Sequence, residues 1–387
     1  MNKNDLRDAA QTAVRIAKVS PPNESYALEP SENIRKDAPT DFWEDAVVDL
    51  SLSTQKEWAK AFLSEAIRDA RFRLNEGSLG VEGSLGLISN SVGTHKFHRE
   101  SVCAWSLMGL ATEAEKITSF DYYSELSRTL KGLPEQIIQS AAHFRDKMLS
   151  NLITGPATSY LGAVVFSPRA VLDILARPLL YHLNGRNIVE GSTKWSVKQV
   201  GDTIVNPLIN ISDTPWNTQR FGASVFDREG SPTANRNLVE NGKLNALLLD
   251  QYSAKALSLK STGNAVGAAT TIPTVGAHNI CVAPGETDLG LWMKECGKSD
   301  QGVLLVNRFS GRTDPVTGDF SGIAKGAEWW ARGEKNYVVQ DTMISGNLFD
   351  ALSSKLLGVT NRSFSVDCNG DSPHLIIGGV SVTSGKS

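Results

Sequence analysis

Glycine and other turn formers cut the second half of the chain into short pieces. The segments FGASVFDREGSPT (221–233), LVENGKLNALLLDQYSA (238–254), HNICVAPGE (278–286), GVLLVNRFSG (302–311), NYVVQDTMISG (336–346) and HLIIGGVSVTSG (374–385) each carry a brief apolar or β-branched run beside turn-forming residues. Runs this short suit strands better than helices, and the turn residues between them favour tight reversals. The pattern predicts a largely antiparallel β domain with few helices.

The first part of the chain has a different period. Leu6, Ala9, Ala13, Ile16 and Ala17 share one stripe, which predicts a helix over 4–19 that stops at SPPNES. Residues 20–45 read as a long loop. Residues 54–73 predict a second helix with Trp58, Phe62, Ala66 and Ile67 inward. Strands and turns follow to about residue 120, and 124–150 returns to helix with a break at Pro134. The expected class is α+β. An N-terminal helix and sheet domain (1–155) precedes a larger, mostly antiparallel β domain (156–387). The length of 387 residues suits two domains at roughly 150 residues each.

A net charge of −3 provides no electrostatic pull toward nucleic acid or acidic lipid. The four cysteines lack C-x-x-C spacing, so reduced thiols and a cytoplasmic location are expected. The N-terminus has no apolar core of a secretory signal, and no window resembles a membrane span.

Familiar catalytic motifs are missing. There is no H-E-x-x-H and no G-x-S-x-G. CGKS (296–299) resembles the end of a phosphate-binding loop, but Trp292 stands where its first glycine belongs. His95 and His98 lie three apart in a predicted strand and so point to opposite faces, which disfavours a shared metal. Asp314 and Asp319 in SGRTDPVTGDFSG (310–322) could pair for acid–base or metal chemistry, or could simply build a turn. ISGNLFD (344–350) reads as a strand, a tight Gly-Asn turn and a helix start.

Three stretches together resemble the TldD/PmbA family, whose PmbA member is also called TldE: GVEGSLGLISNSVG (80–93), RFGASVFDREGSPTANRNLVENGKLNALLLDQYSAKALSLKSTGNA (220–265) and DPVTGDFSGIAKGAEWWARGEKNYVVQDTMISGNLFD (314–350). The resemblance spans about residues 50–387. It implies a two-subunit peptidase. One TldD-type chain holds zinc through H-E-x-x-x-H on a helix and a later cysteine; the TldE-type chain lacks those histidines and pairs with it. Such complexes degrade unfolded peptides and trim ribosomally made ones. The family has a strand-rich portion ahead of the helix resembling 4–19, so a shortened N-terminus is expected here.

The family's zinc helix corresponds to AVVFSPRAVLDILARPLLYHLNG (163–185), where Ala176, Arg177 and Tyr181 occupy the H, E and H positions. Alanine has no donor atom, arginine is a permanent cation and neutral tyrosine is a poor ligand. Shifting the alignment to use His182 places Pro178 and Arg177 four and five residues before it, while Asp173 faces the other side of the helix. His182 is therefore expected to be a structural or surface histidine at the helix end. Cys368 falls near the family's late cysteine and His374 is close to it, but two such residues make half a metal site.

The leading expectation is a TldE-like subunit with no metal or catalytic residue of its own. Its partner would be a TldD-like zinc-bearing subunit and its ligand a peptide, with neither nucleic acid nor membrane involved. Ser310, Arg312, Asp314, Asp319 and Asn347 are the candidate substrate-binding residues. The alternatives are a stand-alone hydrolase with a non-zinc site around Asp314, Asp319 and Cys368, and a non-catalytic peptide-binding scaffold.

Overall fold

The computed structural model describes residues 3–26, 28–156, 158–268, 270–296, 302–339 and 342–384. Residues 297–299 of the CGKS stretch lie outside this set. Among the described residues the chain forms a four-stranded sheet near its N-terminus, a 14-stranded sheet from most of the rest and a two-stranded pair of Ala265–Val266 with Thr274–Val275, giving the α+β class.

The smaller sheet is a long hairpin, Phe72–Ser89 against His95–Glu113, extended by Lys116–Ile117 and Asp121–Ser127. Alternation places Cys103, Trp105, Leu107 and Ala111 on one buried face. Helices Leu52–Ala66 and Leu133–Ser150 cover that face with Phe62, Ala66, Ile137, Ala141, Phe144 and Met148. The two GSLG echoes sit on one strand, six residues apart and hence on the same face. A side chain at Gly77 would stand 2.6 Å from Leu63 of the first helix, so glycine permits the close approach.

The larger sheet surrounds a second core of side chains from 164–382. Its axis is the strand Gly370–Ser384, which pairs with Tyr160–Phe166, Ile280–Val282, Thr342–Asn347 and Leu356–Ser365. Most pairings are antiparallel. Tyr160–Phe166 and Val303–Val306 run parallel, as do Ile280–Val282 and the start of the axial strand.

The hairpin tip reaches this second sheet. Ile88 packs against Phe42, Ala223, Val225 and Phe226. Buried Arg128 donates to the carbonyls of Ser101 and Thr218 at 3.2 and 2.7 Å, bridging both parts of the chain.

Several expectations need correction. The segment read as helix over 124–150 begins as strand Asp121–Ser127. Pro134 does not break the helix Leu133–Ser150; it occupies the first turn, where no N–H is required. The helix read to residue 73 ends at Ala66, leaving Ile67 exposed and Phe72–Arg73 in the hairpin. Helix Lys3–Val19 forms, yet none of its residues is buried: Leu6 and Ile16 are 55% and 59% exposed. Its apolar stripe has no partner among the described residues.

Phe144 ties helix Leu133–Ser150 to the hairpin through an edge contact with Phe72 at 5.8 Å. Phe144→Ala is expected to cost about 3–5 kcal/mol, read as a lower urea midpoint. A loss under about 1 kcal/mol would mean that this core is not packed as described.

Candidate functional site

Strand Tyr160–Phe166 runs directly into the helical segment 168–183. Ser167 makes the transition: its hydroxyl accepts from the Ala170 N–H at 3.3 Å and donates to the Asn307 carbonyl at 2.7 Å. The segment tightens and loosens along its length, with a π turn at Val171–Ala176 and a 3₁₀ turn at Tyr181–Leu183. Val171, Leu172, Ile174, Leu175, Ala176, Leu179 and Leu183 are all buried, so core surrounds most of its circumference. Pro178 offers no N–H to the carbonyl of Ile174. The Thr313 hydroxyl donates to that carbonyl instead, at 3.0 Å.

The positions that would carry zinc ligands have other partners. Ala176 is packed in the core. Arg177 forms an ion pair with Asp173 on the partly exposed side. The Tyr181 hydroxyl donates to Ser192 at 3.0 Å. His182 is 1% exposed and does not cap its own helix, in contrast to the expected helix-end role. The Lys194 backbone N–H donates to its Nδ1 at 2.9 Å, which makes Nδ1 the acceptor and Nε2 the protonated nitrogen. Nε2 donates to the Pro315 carbonyl at 2.6 Å. Burial above all, and then the Lys194 charge, hold its pKa below the ordinary histidine value. Tyr181, Trp195 and Phe349 enclose the ring. Neither nitrogen has a lone pair left for a metal.

The five candidate substrate-binding residues lie on a three-stranded curl of Arg308–Thr313, Asp319–Lys325 and Thr342–Asn347. Register places Arg312 opposite Ser321, Ser321 opposite Ser345, and Asp319 opposite Asn347. The inner face carries Phe309, Phe320 and Ile344; Ser310, Arg312 and Asp319 are exposed on the outer face. Three of the five are committed to local structure. Asp314 accepts from the N–H groups of Val316 and Thr317 at 2.9 and 3.2 Å, and these bonds lower its pKa. Asn347 donates to the Thr317 carbonyl and to Asp319 at 2.9 and 2.8 Å, while its own carbonyl caps helix Leu348–Ala351. It is therefore a cap continuous with the strand, not part of a tight Gly-Asn turn. Ser310 and Arg312 make no side-chain hydrogen bond with a described residue, which leaves them available to a ligand.

Cys368 and His374 lie elsewhere, in a cleft of about 300 Å³ that both parts of the chain line. A neighbouring cavity of about 230 Å³ shares Lys147 and Asn307 with it. Lys147 and Arg308 meet Asp121 at 2.8 and 3.3 Å, and Arg169 meets Asp367 at 2.6 Å. Burial opposes the Asp121 charge, but the surrounding cations outweigh it and lower its pKa. Burial raises the Cys368 thiol and depresses His374 to about 4. A protonated thiol and a neutral imidazole that share a cleft without a hydrogen bond between them are not an activated nucleophile pair. Among the described residues no three His, Cys, Asp or Glu side chains are grouped to hold a metal.

Motif spacing did not reveal this cleft, because its charged residues come from positions far apart in the chain. Two of the buried carboxylates that organise the 213–280 region were also missed. Asp213 accepts from the N–H groups of His278 and Asn279 and from the Asn264 amide. Asp227 accepts from the N–H groups of Glu229, Ser231 and Ala265, and burial raises its pKa to about 6. The sequence signal for Asp227 was its place in FDREG, which looks like any turn.

The family model described as the PmbA/TldA metallopeptidase C-terminal domain matches residues 159–384. The chain belongs to the TldD/PmbA family. A Haemophilus influenzae protein named as a metalloprotease PmbA homologue is 26% identical over 366 residues, covering 92% of this chain and 76% of its own. Metalloprotease PmbA of Escherichia coli O157:H7 is 26% identical over 344 residues, covering 88% of this chain and 72% of its own. TldE from Thermococcus kodakarensis superposes with a TM-score of 0.84 at 21% identity, over 99% of this chain and 85% of that one, which speaks to the fold.

Asn347→Ala removes a helix cap and two bonds to the 314–319 turn, with an expected cost of about 1–3 kcal/mol in chemical denaturation. A change of only a few tenths would show that the cap carries little. His374 supplies a pH test. Its folded pKa of about 4 lies below the ordinary value of 6.5, so the unfolded chain binds the proton first. Its contribution to stability is complete above pH 6.5 and is lost as pH falls toward 4. Asp227, raised to about 6, titrates in the same window with the opposite sign, so the reading is the difference between proteins: the urea midpoint of wild type should fall relative to that of His374→Gln as pH drops from 6.5 toward 4. An identical slope in the variant would refute the burial argument.

Proposed function

We propose that this chain is the zinc-free, TldE-like subunit of a two-subunit peptidase, pairing with a TldD-like chain that holds the metal and helping to bind an extended peptide. The observation that carries this reading is the helical segment 168–183. Where zinc ligands would stand, Ala176 is core, Arg177 is paired with Asp173, and His182 has both nitrogens engaged. The names of the PmbA relatives support a role connected with metallopeptidase activity.

The curl supports the peptide-binding part. Among the described residues, Arg308–Thr313 pairs with a strand on one side alone, leaving an edge that a peptide backbone could extend. Ser310 and Arg312 project beside that edge, with Ser321 across from Arg312. Backbone pairing of this kind tolerates many peptide sequences. A cytoplasmic setting accords with thiols that form no disulfide among the described residues. No helix there is long and apolar enough to cross a membrane.

The test is co-expression with a TldD-like protein from the same source. A complex is expected by size exclusion, with chelator-sensitive peptide hydrolysis that neither chain shows alone. Metal analysis of the isolated chain should find zinc far below one equivalent. Stoichiometric zinc in that chain, or no complex and no gain of hydrolysis on mixing, would overturn the proposal.

A further inference from the structure

A cavity of about 590 Å³ lies beneath the segment 29–35, within the volume range of small-molecule sites. The segment is tied down at both ends of the cavity. The Glu29 N–H donates to the Gln251 side chain at 3.3 Å, the Ser31 N–H donates to Thr94 at 3.2 Å, and Lys96 donates to the Glu32 carbonyl at 2.7 Å. The cavity is therefore bounded by the N-terminal segment on one side and by Ser231–Arg236 and the Gln251–Ala256 helix on the other.

Four cations line it, and three have counter-charges. Arg35 pairs with Asp37 at 2.7 Å, Lys255 with Glu29 at 3.6 Å and Lys260 with Glu32 at 3.2 Å. Arg236 has no ion-pair partner at bonding distance: its guanidinium makes no hydrogen bond or ion pair with a described residue, the charge acting on it is that of Asp213, and its Nε is shut off from solvent, so a ligand in the cavity would meet the other guanidinium nitrogens. Asp213 stands opposite it in the strand register, but that carboxylate accepts from His278, Asn279 and Asn264 and makes no ion pair with Arg236. Burial holds the Arg236 pKa below its ordinary value, with Asp213 opposing in part. Ser231 is a second unmatched donor. Its buried hydroxyl accepts from Gln251 at 3.3 Å, while its own proton has no acceptor among the described residues. Partly buried donors without acceptors are costly, and a planar guanidinium matches an oxyanion well.

We infer that this cavity is a binding site for a small oxyanion-bearing ligand, whose carboxylate or phosphate pairs with Arg236 and accepts a hydrogen bond from Ser231. The volume suits a molecule about the size of a short peptide. All of its described lining residues come from this chain.

The experiment titrates the purified full chain by calorimetry with three probes: trialanine with a free carboxylate, the same peptide amidated, and inorganic phosphate. Binding of the free acid at least about tenfold tighter than the amide supports a carboxylate ligand; binding of phosphate alone supports a phosphate ligand. Arg236→Gln should weaken the bound probe by about tenfold or more, and Ser231→Ala by less. Arg15→Gln, on the exposed N-terminal helix, should leave binding unchanged. The acid–amide and phosphate comparisons need no variant, so they stand even if a substitution disturbs folding. No binding of any probe at millimolar concentration, equal binding of acid and amide without phosphate binding, or unchanged binding in a folded Arg236→Gln protein would overturn the inference.

Discussion

The pairing of strand Gly370–Ser384 with four other strands is the constraint on which the larger sheet depends. One edge receives Tyr160–Phe166 and, near its start, Ile280–Val282. The other receives Leu356–Ser365 and then Thr342–Asn347. The change of partners occurs around Gly378 and Gly379, where the register shifts and Gly379 adopts a φ of +67°. Tyr160–Phe166 aims the helical segment 168–183 into the core, and Thr342–Asn347 carries the curl. Cys368 immediately precedes the axial strand and His374 lies on it. A single strand thus positions the 168–183 segment, the curl and the cleft at Cys368 and His374.

Much of the C-terminal architecture was legible because local signals and tertiary demands agree there. Most Gly-bounded apolar runs became strands, although 221–233 forms turns with an isolated bridge between Phe226 and Pro232 and the end of 238–254 is helix Gln251–Ala256, and the Asp314–Gly318 stretch became the turn its composition allows. Parallel pairing was not legible. Val164 meets Leu304 across a separation that no local pattern records. Pro134 was misread because the same residue stops a helix interior and suits a helix start, and only the preceding strand decides between them.

The site divides along a similar line. That residues 176 and 177 could not hold a metal was visible residue by residue, since alanine and arginine exclude themselves by chemistry. The role of His182 was not, because its partners are a backbone N–H at residue 194 and a carbonyl at residue 315. Nor were Asp314 and Asn347 separable from true ligand-binding groups by type alone. Their polar atoms are consumed by backbone geometry that exists only once the chain has folded, whereas Ser310 and Arg312 on the same curl remain uncommitted.

The proline in the 168–183 segment has a further consequence. The Ile174 carbonyl is served by Thr313 on the edge strand of the curl, and the Pro315 carbonyl just beyond that strand is served by His182. Introducing imidazoles at 176 and 181 would therefore not recreate a metal-binding helix. Ala176 has no room in the core, a carboxylate at 177 would face Asp173 as a like charge, and a rearranged helix would break both stitches to the curl. Making this helix hold zinc would take several simultaneous changes, each unfavourable alone.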